Sequence, residues 1–357
     1  MFRPFFPLLL LVHGCVHFIG FHQLPVWRHS EGLFGALSWP WASALLLFGT
    51  SALFRLRRSP LWWAPAAAGV LLSQVLVARQ WEQAKWGTIP NLAIALAVLY
   101  SFGQWRFRRS YDRARVALLR RTGALPAETI GERDLAPLPP PVQRYLRYVG
   151  VPGSAKLRSA RIVLDGELRA RGRDWFPFRS EQHNAFDSYE RHFFMKARIL
   201  GVDVPGYHAY KGSAASMQVR PGGLLPLVHE TGAELFRAET VTLLNDICLL
   251  APAALIDPRI RWEPIDEQSA RAHFTNEGVT VSALLLFNDW GELINFISHD
   301  RIDVADGKSY RFSTPVSEYR YFGNFRLPGF GEAIWSYPGG DFTYGRLHVK
   351  EVRYNGQ

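Results

Sequence analysis

The chain has 357 residues, 48% of them hydrophobic, two cysteines and a formal charge of +10 at neutral pH. The length leaves room for two or three domains, and two cysteines cannot build a disulfide framework. The charge is lopsided, with 14 Lys and Arg against 3 Asp and Glu in residues 1–125 and 27 against 28 in the rest, so nucleic acid is excluded as a partner of the larger, neutral part.

Four apolar runs fall at residues 5–21, 37–54, 61–78 and 87–103, each near the short end of what spans a bilayer. Eight of the 12 tryptophans precede residue 106, and Trp39, Trp62, Trp63, Trp81, Trp86 and Trp105 stand at run ends, where an aromatic belt would lie. The first run reads LLLLVHGCVHFIGFHQL over residues 8–24. Its LVHGC has the outline of a lipoprotein cleavage box ending at Cys15, but the chain stays apolar beyond the cysteine instead of becoming a polar tether. His13 and His17 are four apart and share one helix face, with His22 nearer the interface. Partners for them must come from other spans: Gln74 in the third or Asn91 in the fourth, or Glu82 and Lys85 at the mouth. Polar groups at membrane depth are functional candidates for a metal, haem or proton role. The plainer reading is hydrogen bonding between helices, and no cofactor or metal is called for.

Arginine orients the spans. Arg3 and the pair Arg28 and Glu31 are light, Arg55, Arg57 and Arg58 are heavy, Arg79, Glu82 and Lys85 are light, and seven arginines from Arg106 to Arg121 are heavy. The positive-inside rule then puts the N-terminus and everything after the fourth span in the cytoplasm, in a multi-pass protein of the cell inner membrane. Membrane lipids are expected partners, since arginines near the surface attract anionic headgroups at about 1 kcal/mol each.

Residues 105–157 connect. QWRFRRSYDRARVALLRRTG reads as a basic helix ended by Gly123, ALPAETIGERDLAPLPPP as a Pro-rich linker, and PPPVQRYLRYVG as a short helix that Pro141 opens and Gly150 closes. From residue 158 to 357 the period changes to short runs rich in β-branched and aromatic residues, about a dozen strands with Gly, Pro and Asp at the turns. One helix, Ala233 to Leu250, interrupts them before Pro252. Strands in sequence without βαβ alternation argue an antiparallel sheet. The whole is an α+β chain: a four-helix transmembrane domain (1–104), the connector, and a curved sheet or half-barrel closed by helix 233–250.

ALLLF at 283–287 is apolar on both strand faces, which means burial on both sides or one face on an apolar cavity. Phe193, Tyr210, Leu285, Phe287, Tyr319, Tyr321 and Trp335 are candidate linings of such a cavity, or members of an aromatic core. Phosphate-loop, G-x-S-x-G, H-E-x-x-H and C-x-x-C motifs are missing. Glu181 with His183, and His299 with Asp300, are weak acid–base candidates; such residues more often pair across a sheet or solvate its ends.

The segments LVHGCVHFIGFH, AKWGTIPNLAIALAVLYS, LPPPVQRYLRYVGVPG, DWFPFRSEQHNAF and RWEPIDEQSARAHF…VSALLLFNDWGEL together resemble an uncharacterised bacterial membrane-protein family, a domain of unknown function preceded by membrane helices. The family brings no activity or site residues with it. Residues 260–313 are similar in rhythm to the lipoprotein-carrier half-barrels, which hold acyl chains in an apolar cavity under a helix. That similarity implies a hydrophobic ligand and work outside the cytoplasmic membrane, whereas the arginine bias puts the domain inside. Three functions stay open: a membrane-anchored protein binding a lipid or other hydrophobic ligand, an interaction module with a packed core and an unknown protein partner, or an envelope hydrolase-like enzyme using the two acid–base pairs.

Overall fold

The computed structural model of the protein describes residues 5–23, 39–303 and 306–356, with side chains from residue 19 to 23 left out. The side chain of His22 and residues Arg3, Arg28 and Glu31 therefore lie outside the described part. Two compact units emerge, Met1–Arg108 with Gly222–Leu224, and Arg109–Pro221 with Leu225–Gln357.

The first unit contains α1 (Phe5–Gln23), α2 (Trp39–Leu56), α3 (Trp63–Arg79) and the start of α4 (Thr88–Gly123). These helices stand where the apolar runs lie. The expectation of four membrane-long helices is corrected, however. Among the described residues only the helical stretch Trp81–Gly123 is long and apolar enough to cross a bilayer, while Phe5–Phe18 and Trp63–Arg79 are apolar but shorter. One cause is local: Gln80 leaves helical geometry at φ −121° and ends α3. In the other direction, the expected break between the fourth run and the basic helix is absent. Nothing from Tyr100 to Arg106 stops a helix, and α4 is one rod of 36 residues.

Packing in this unit is close. Phe48 of α2 is fully buried, and a Cβ added at Gly69 of α3 would come within 3.2 Å of its ring, so glycine is what lets the two helices approach. The unit is turned inside out relative to a water-soluble bundle. Leu8, Leu46, Leu71, Val75, Leu92 and Leu96 are exposed, while His13, His17, Ser51, Ser73 and Asn91 are buried.

In the second unit α5 (Pro140–Val149) starts on prolines and ends at Gly150, whose φ of 87° is the left-handed stop that a residue with a Cβ resists. The strands are β1 (Ser159–Leu168), β2 (Phe176–Ala185), β3 (Glu190–Ile199), β4 (Val202–Lys211), β5 (Ala214–Val219) and β6 (Val228–Thr231). Helix α6 (Ala233–Leu250) follows, then β7 (Ile260–Asp266), β8 (Ser269–Asn276), β9 (Val279–Phe287) and β10 (Leu293–Ser298). Two small hairpins, β11 (Ile302–Asp303) with β12 (Lys308–Ser309) and β14 (Arg320–Phe322) with β15 (Phe325–Leu327), flank β13 (Arg311–Ser317), before β16 (Phe330–Tyr337) and β17 (Gly340–Tyr354).

Among the described residues the main sheet has 13 strands in the order β6-β5-β4-β3-β2-β1-β17-β16-β13-β10-β9-β8-β7, with antiparallel neighbours. Two-residue turns set its registers: Glu277 and Gly278, at φ 47° and 78°, join β8 to β9 in the primed geometry that suits strand twist. Helix α6 touches β5 and β6 near one edge and β9 and β10 near the other, so the sheet curls round the helix. Bulges at Val163/Leu164, Leu293/Asn295 and Ala333/Ile334 supply local bending. The result is an α+β unit with a large curved antiparallel sheet. Its edge strand β7 carries Arg261, Glu263, Pro264 and Asp266, residues that discourage pairing with another chain.

Candidate functional site

Curling leaves a cavity of about 240 Å³ between α6 and the concave face of the sheet. Strand alternation aims Arg191, Phe193 and Met195 of β3 into it, and Phe178 and Gln182 of β2. Helix α6 presents Glu239, Thr242, Asp246 and Leu249 on the same side, spaced by three and four residues. Most of the wall is apolar, formed by residues such as Leu164, Leu250, Phe312, Val316, Phe330 and Leu347. One part is charged.

That charged part is built on Arg191, whose side chain is almost wholly buried. It donates to Glu239 at 2.9 Å and to Asp246 at 2.7 Å. His208 Nδ1 donates to Glu239 Oε1 at 2.7 Å, and Gln182 Nε2 donates to Asp246 at 2.6 Å. Burial alone would raise the Glu239 carboxyl, but the neighbouring His208 and Arg191 hold it down at about 2. The carboxylate is therefore ionised over the physiological range. Arg301 borders the same cavity. Its guanidinium lies 4.0 Å over the Phe312 ring and 5.2 Å from the Trp335 ring, and donates to the Tyr344 hydroxyl at 2.8 Å.

Of the residues singled out in the sequence, Phe193 lines this cavity and Trp335 backs Arg301. Tyr210 is buried in the core, stacked on Phe236 and bonded to Thr240 and Asn276. Leu285 and Phe287 are core residues as well, Phe287 packing 5.6 Å from the Tyr145 ring, so ALLLF marks a buried strand and not a cavity wall. Tyr319 donates to the Leu293 carbonyl at 2.9 Å, and Tyr321 is 74% exposed.

The acid–base candidates do not converge. Glu181 and His183 alternate with the inward Gln182 and so belong to the other face of β2. There Glu181 pairs with Arg161 at 3.0 Å and Arg115 at 3.8 Å, and His183 meets the Tyr111 hydroxyl at 2.7 Å. Both serve to seat the last turns of α4 on the sheet, as does Arg121 bonded to Glu190 at 2.7 Å. His299 is exposed, and Asp300 accepts from the Ser282 backbone amide and hydroxyl at 2.6 and 2.9 Å. Strands β1, β17, β16 and β13 separate β2 from β10, which leads into His299 and Asp300.

Within the first unit, His13 Nε2 donates to Asn91 Oδ1 at 2.8 Å, Asn91 donates to Gln74 at 3.0 Å, and Gln74 donates to Thr88 at 3.2 Å. This chain of bonds ties α1, α3 and α4 together. His17 stacks on Phe48 at 5.8 Å, and both its ring nitrogens lack a hydrogen-bond partner among the described residues. No group of three metal-ligating side chains occurs among the described residues. A second cavity, about 440 Å³, is bordered by charges already paired with each other, Lys156 with Glu128 and Arg259 with Asp257.

Sequence reasoning missed Arg191, Glu239, Asp246 and Arg301. One signal was available: Glu239, Thr242 and Asp246 form a polar stripe, spaced by three and four, along a helix rich in apolar residues. Such a stripe on a buried helix must face polar partners or a cavity.

Comparison with known proteins gives the following. A model described as a family of unknown function, DUF6544, matches residues 128–347. No curated protein matches the chain. Among solved structures, it is similar to a LolA superfamily protein from Nitrosomonas europaea, at 13% identity over 60% of this chain and 93% of that one, with a TM-score of 0.37. It is also similar to a putative outer membrane lipoprotein-sorting protein domain from Vibrio parahaemolyticus, at 9% identity over 55% and 85% of the two chains, TM-score 0.33.

Proposed function

The chain belongs to the family of unknown function DUF6544, and from that premise we propose that it is a membrane-anchored binding protein whose β-unit holds a hydrophobic ligand between α6 and the sheet. The observation that carries this reading is the cavity itself. A hollow of about 240 Å³, walled mainly by aliphatic and aromatic side chains, opens beside the packed core. Apolar wall left against water is unfavourable, and an apolar ligand that covers it is stabilised there. The volume lies a little below the range of about 300–1,000 Å³ common for small-molecule sites, which suits one acyl chain better than several.

Membrane anchoring is supported by the inside-out first unit. A bundle that exposes Leu8, Leu46, Leu71 and Leu96 while burying His13, Ser73 and Asn91 is matched to lipid and mismatched to water. In this reading α1 to α4 cross as a bundle, the shorter ones with local thinning of the bilayer. The arginine clusters after α2 and along the second half of α4 support a cytoplasmic N-terminus and β-unit. Exposed leucines favour a lipid surface near the β-unit too: Leu200 at the β3–β4 turn is 99% exposed, and Leu225 and Leu227 follow β5 at the same end of the sheet.

The test uses the full chain in amphipol. Native mass spectrometry with organic extraction is expected to find one acyl-chain molecule that leaves only on unfolding. Ala333→Phe, which fills the cavity from β16, is expected to lose it while loosely held membrane lipids remain. A ligand-free mass, with no uptake on mixing with vesicles, sinks the proposal.

A further inference from the structure

We propose that the cavity takes a singly charged anionic amphiphile, an acyl chain ending in a carboxylate, and that Arg301 is the group that binds its head. This deepens the binding reading above and rests on it. The argument starts from the donors and acceptors at the charged end of the cavity.

Both carboxylates there are already engaged. Glu239 takes Arg191 and His208, and Asp246 takes Arg191 and Gln182. They offer little to a cationic or hydroxylic ligand without breaking a buried pair. Arg301 is the opposite case. A guanidinium has five N–H donors in a planar fork. Arg301 spends one on a neutral oxygen, the Tyr344 hydroxyl at 2.8 Å, and makes no ion pair among the described residues. Its position is nonetheless fixed, 4.0 Å over the Phe312 ring with Trp335 and Tyr344 beside it. A guanidinium oriented by aromatic rings, bordering an apolar cavity and left with free donors, is a preformed receptor for an oxyanion.

Charge selects within that class. Glu239 is close enough for Arg301 to help hold its carboxyl ionised. A phosphate dianion at Arg301 would be repelled by Glu239 more than a monoanion. A cation without an ion pair beside one committed carboxylate fits a single negative charge. The apolar residues that share the cavity with Arg301, among them Phe312, Leu347 and Phe330, then receive the chain.

The experiment compares dodecanoate with dodecan-1-ol, which have the same chain length and differ in the charge of the head. Both are radiolabelled and bound at equilibrium to the full chain in amphipol. The wild type is expected to prefer the acid by about tenfold, the scale of one charge-assisted hydrogen-bonded pair. Arg301→Gln is expected to abolish the preference, weakening binding of the acid about tenfold more than binding of the alcohol. Arg301→Lys, which keeps the charge without the fork, retains part of it and guards against a folding defect. Equal binding of acid and alcohol by the wild type overturns the inference, as does a preference that survives Arg301→Gln; either result leaves the hydrophobic-ligand reading standing. Failure of the wild type to bind both probes removes that reading and this inference together.

Discussion

Arg191 shows how a single side chain organises the cavity. It is buried among apolar walls and is tolerable there only because Glu239 and Asp246 meet it at 2.9 and 2.7 Å. Removing it leaves the two carboxylates with donors from His208, Gln182 and Asn184 alone. Arg191→Met is therefore expected to destabilise the fold by about 3–5 kcal/mol, the cost of breaking a buried pair from one side. Glu239→Gln, which keeps the shape and a hydrogen bond, should cost less. Near-ultraviolet circular dichroism during thermal unfolding reads both, and an Arg191→Met midpoint equal to wild type would show that the pair contributes nothing. The same group predicts the acid response. Glu239 is held near 2 against an ordinary value of 4.5, so its stabilisation is complete above about 4.5 and is lost as pH falls toward 2. Glu190 follows the same course: burial would raise it, but His192 and Arg121 hold it at about 2. The unfolding midpoint should fall between pH 4.5 and 2 in the wild type, and less steeply in Glu239→Gln. None of these pairings is visible in the sequence. Arg191 sits in ERHFF beside Glu190 and His192, and which of the three points inward depends on the strand's register against β2 and β4.

Helix α6 is the element that makes the cavity possible, and its end is its exposed flank. The last four carbonyls of a helix lack internal partners. Two tyrosines supply them here: Tyr145 of α5 donates to the Cys248 carbonyl at 2.6 Å, and Tyr354 of β17 donates to the Leu250 carbonyl. Elements more than a hundred residues away in sequence thus fix where α6 stops. Tyr145→Phe is expected to cost about 1–3 kcal/mol, because it strips a buried carbonyl of its donor without changing the packed volume. Hydrogen exchange localises the effect: the amides of α6 should exchange faster, and exchange that is faster everywhere or nowhere would contradict this role. The element itself was readable. The apolar period and Pro252 bound it at Ala233 and Leu250, the limits it has in the structure. The strands were readable from their turns, though YHAYKGSAASMQVR conceals two, β4 and β5, folded at Gly212. The cavity was not readable, because lining and core residues share one composition. Phe193 and Phe287 look alike in sequence, and only the curl of the sheet separates them.

For the whole molecule, the two units follow different solvent rules, and the charge distribution marks the change. Basic residues crowd around the apolar helices, while the β-unit is close to neutral and keeps its charges in pairs such as Arg161 with Glu351 and Arg179 with Asp165. Hydropathy revealed where the apolar helices run and nearly how long they are, α3 ending where Gln80 leaves helical geometry. Helix α3 is short for a span, and in the proposed anchoring the buried polar groups favour insertion of the helices as a set. The His13–Asn91–Gln74 chain would be costly to leave unpaired in lipid, so it favours α1, α3 and α4 entering the bilayer as one packed set. In the proposed topology arginine sets the side. The seven arginines between Arg106 and Arg121 resist transfer across the membrane together, and the cluster Arg55, Arg57 and Arg58 resists it at the α2–α3 connection. A fluorescent-protein reporter fused after residue 357 should therefore glow, and a phosphatase reporter there should stay inactive. Reporters inserted after Gln80 should behave the opposite way. An active phosphatase at the C-terminus would put the β-unit outside the cytoplasmic membrane, and with it the source of any amphiphile that reaches Arg301.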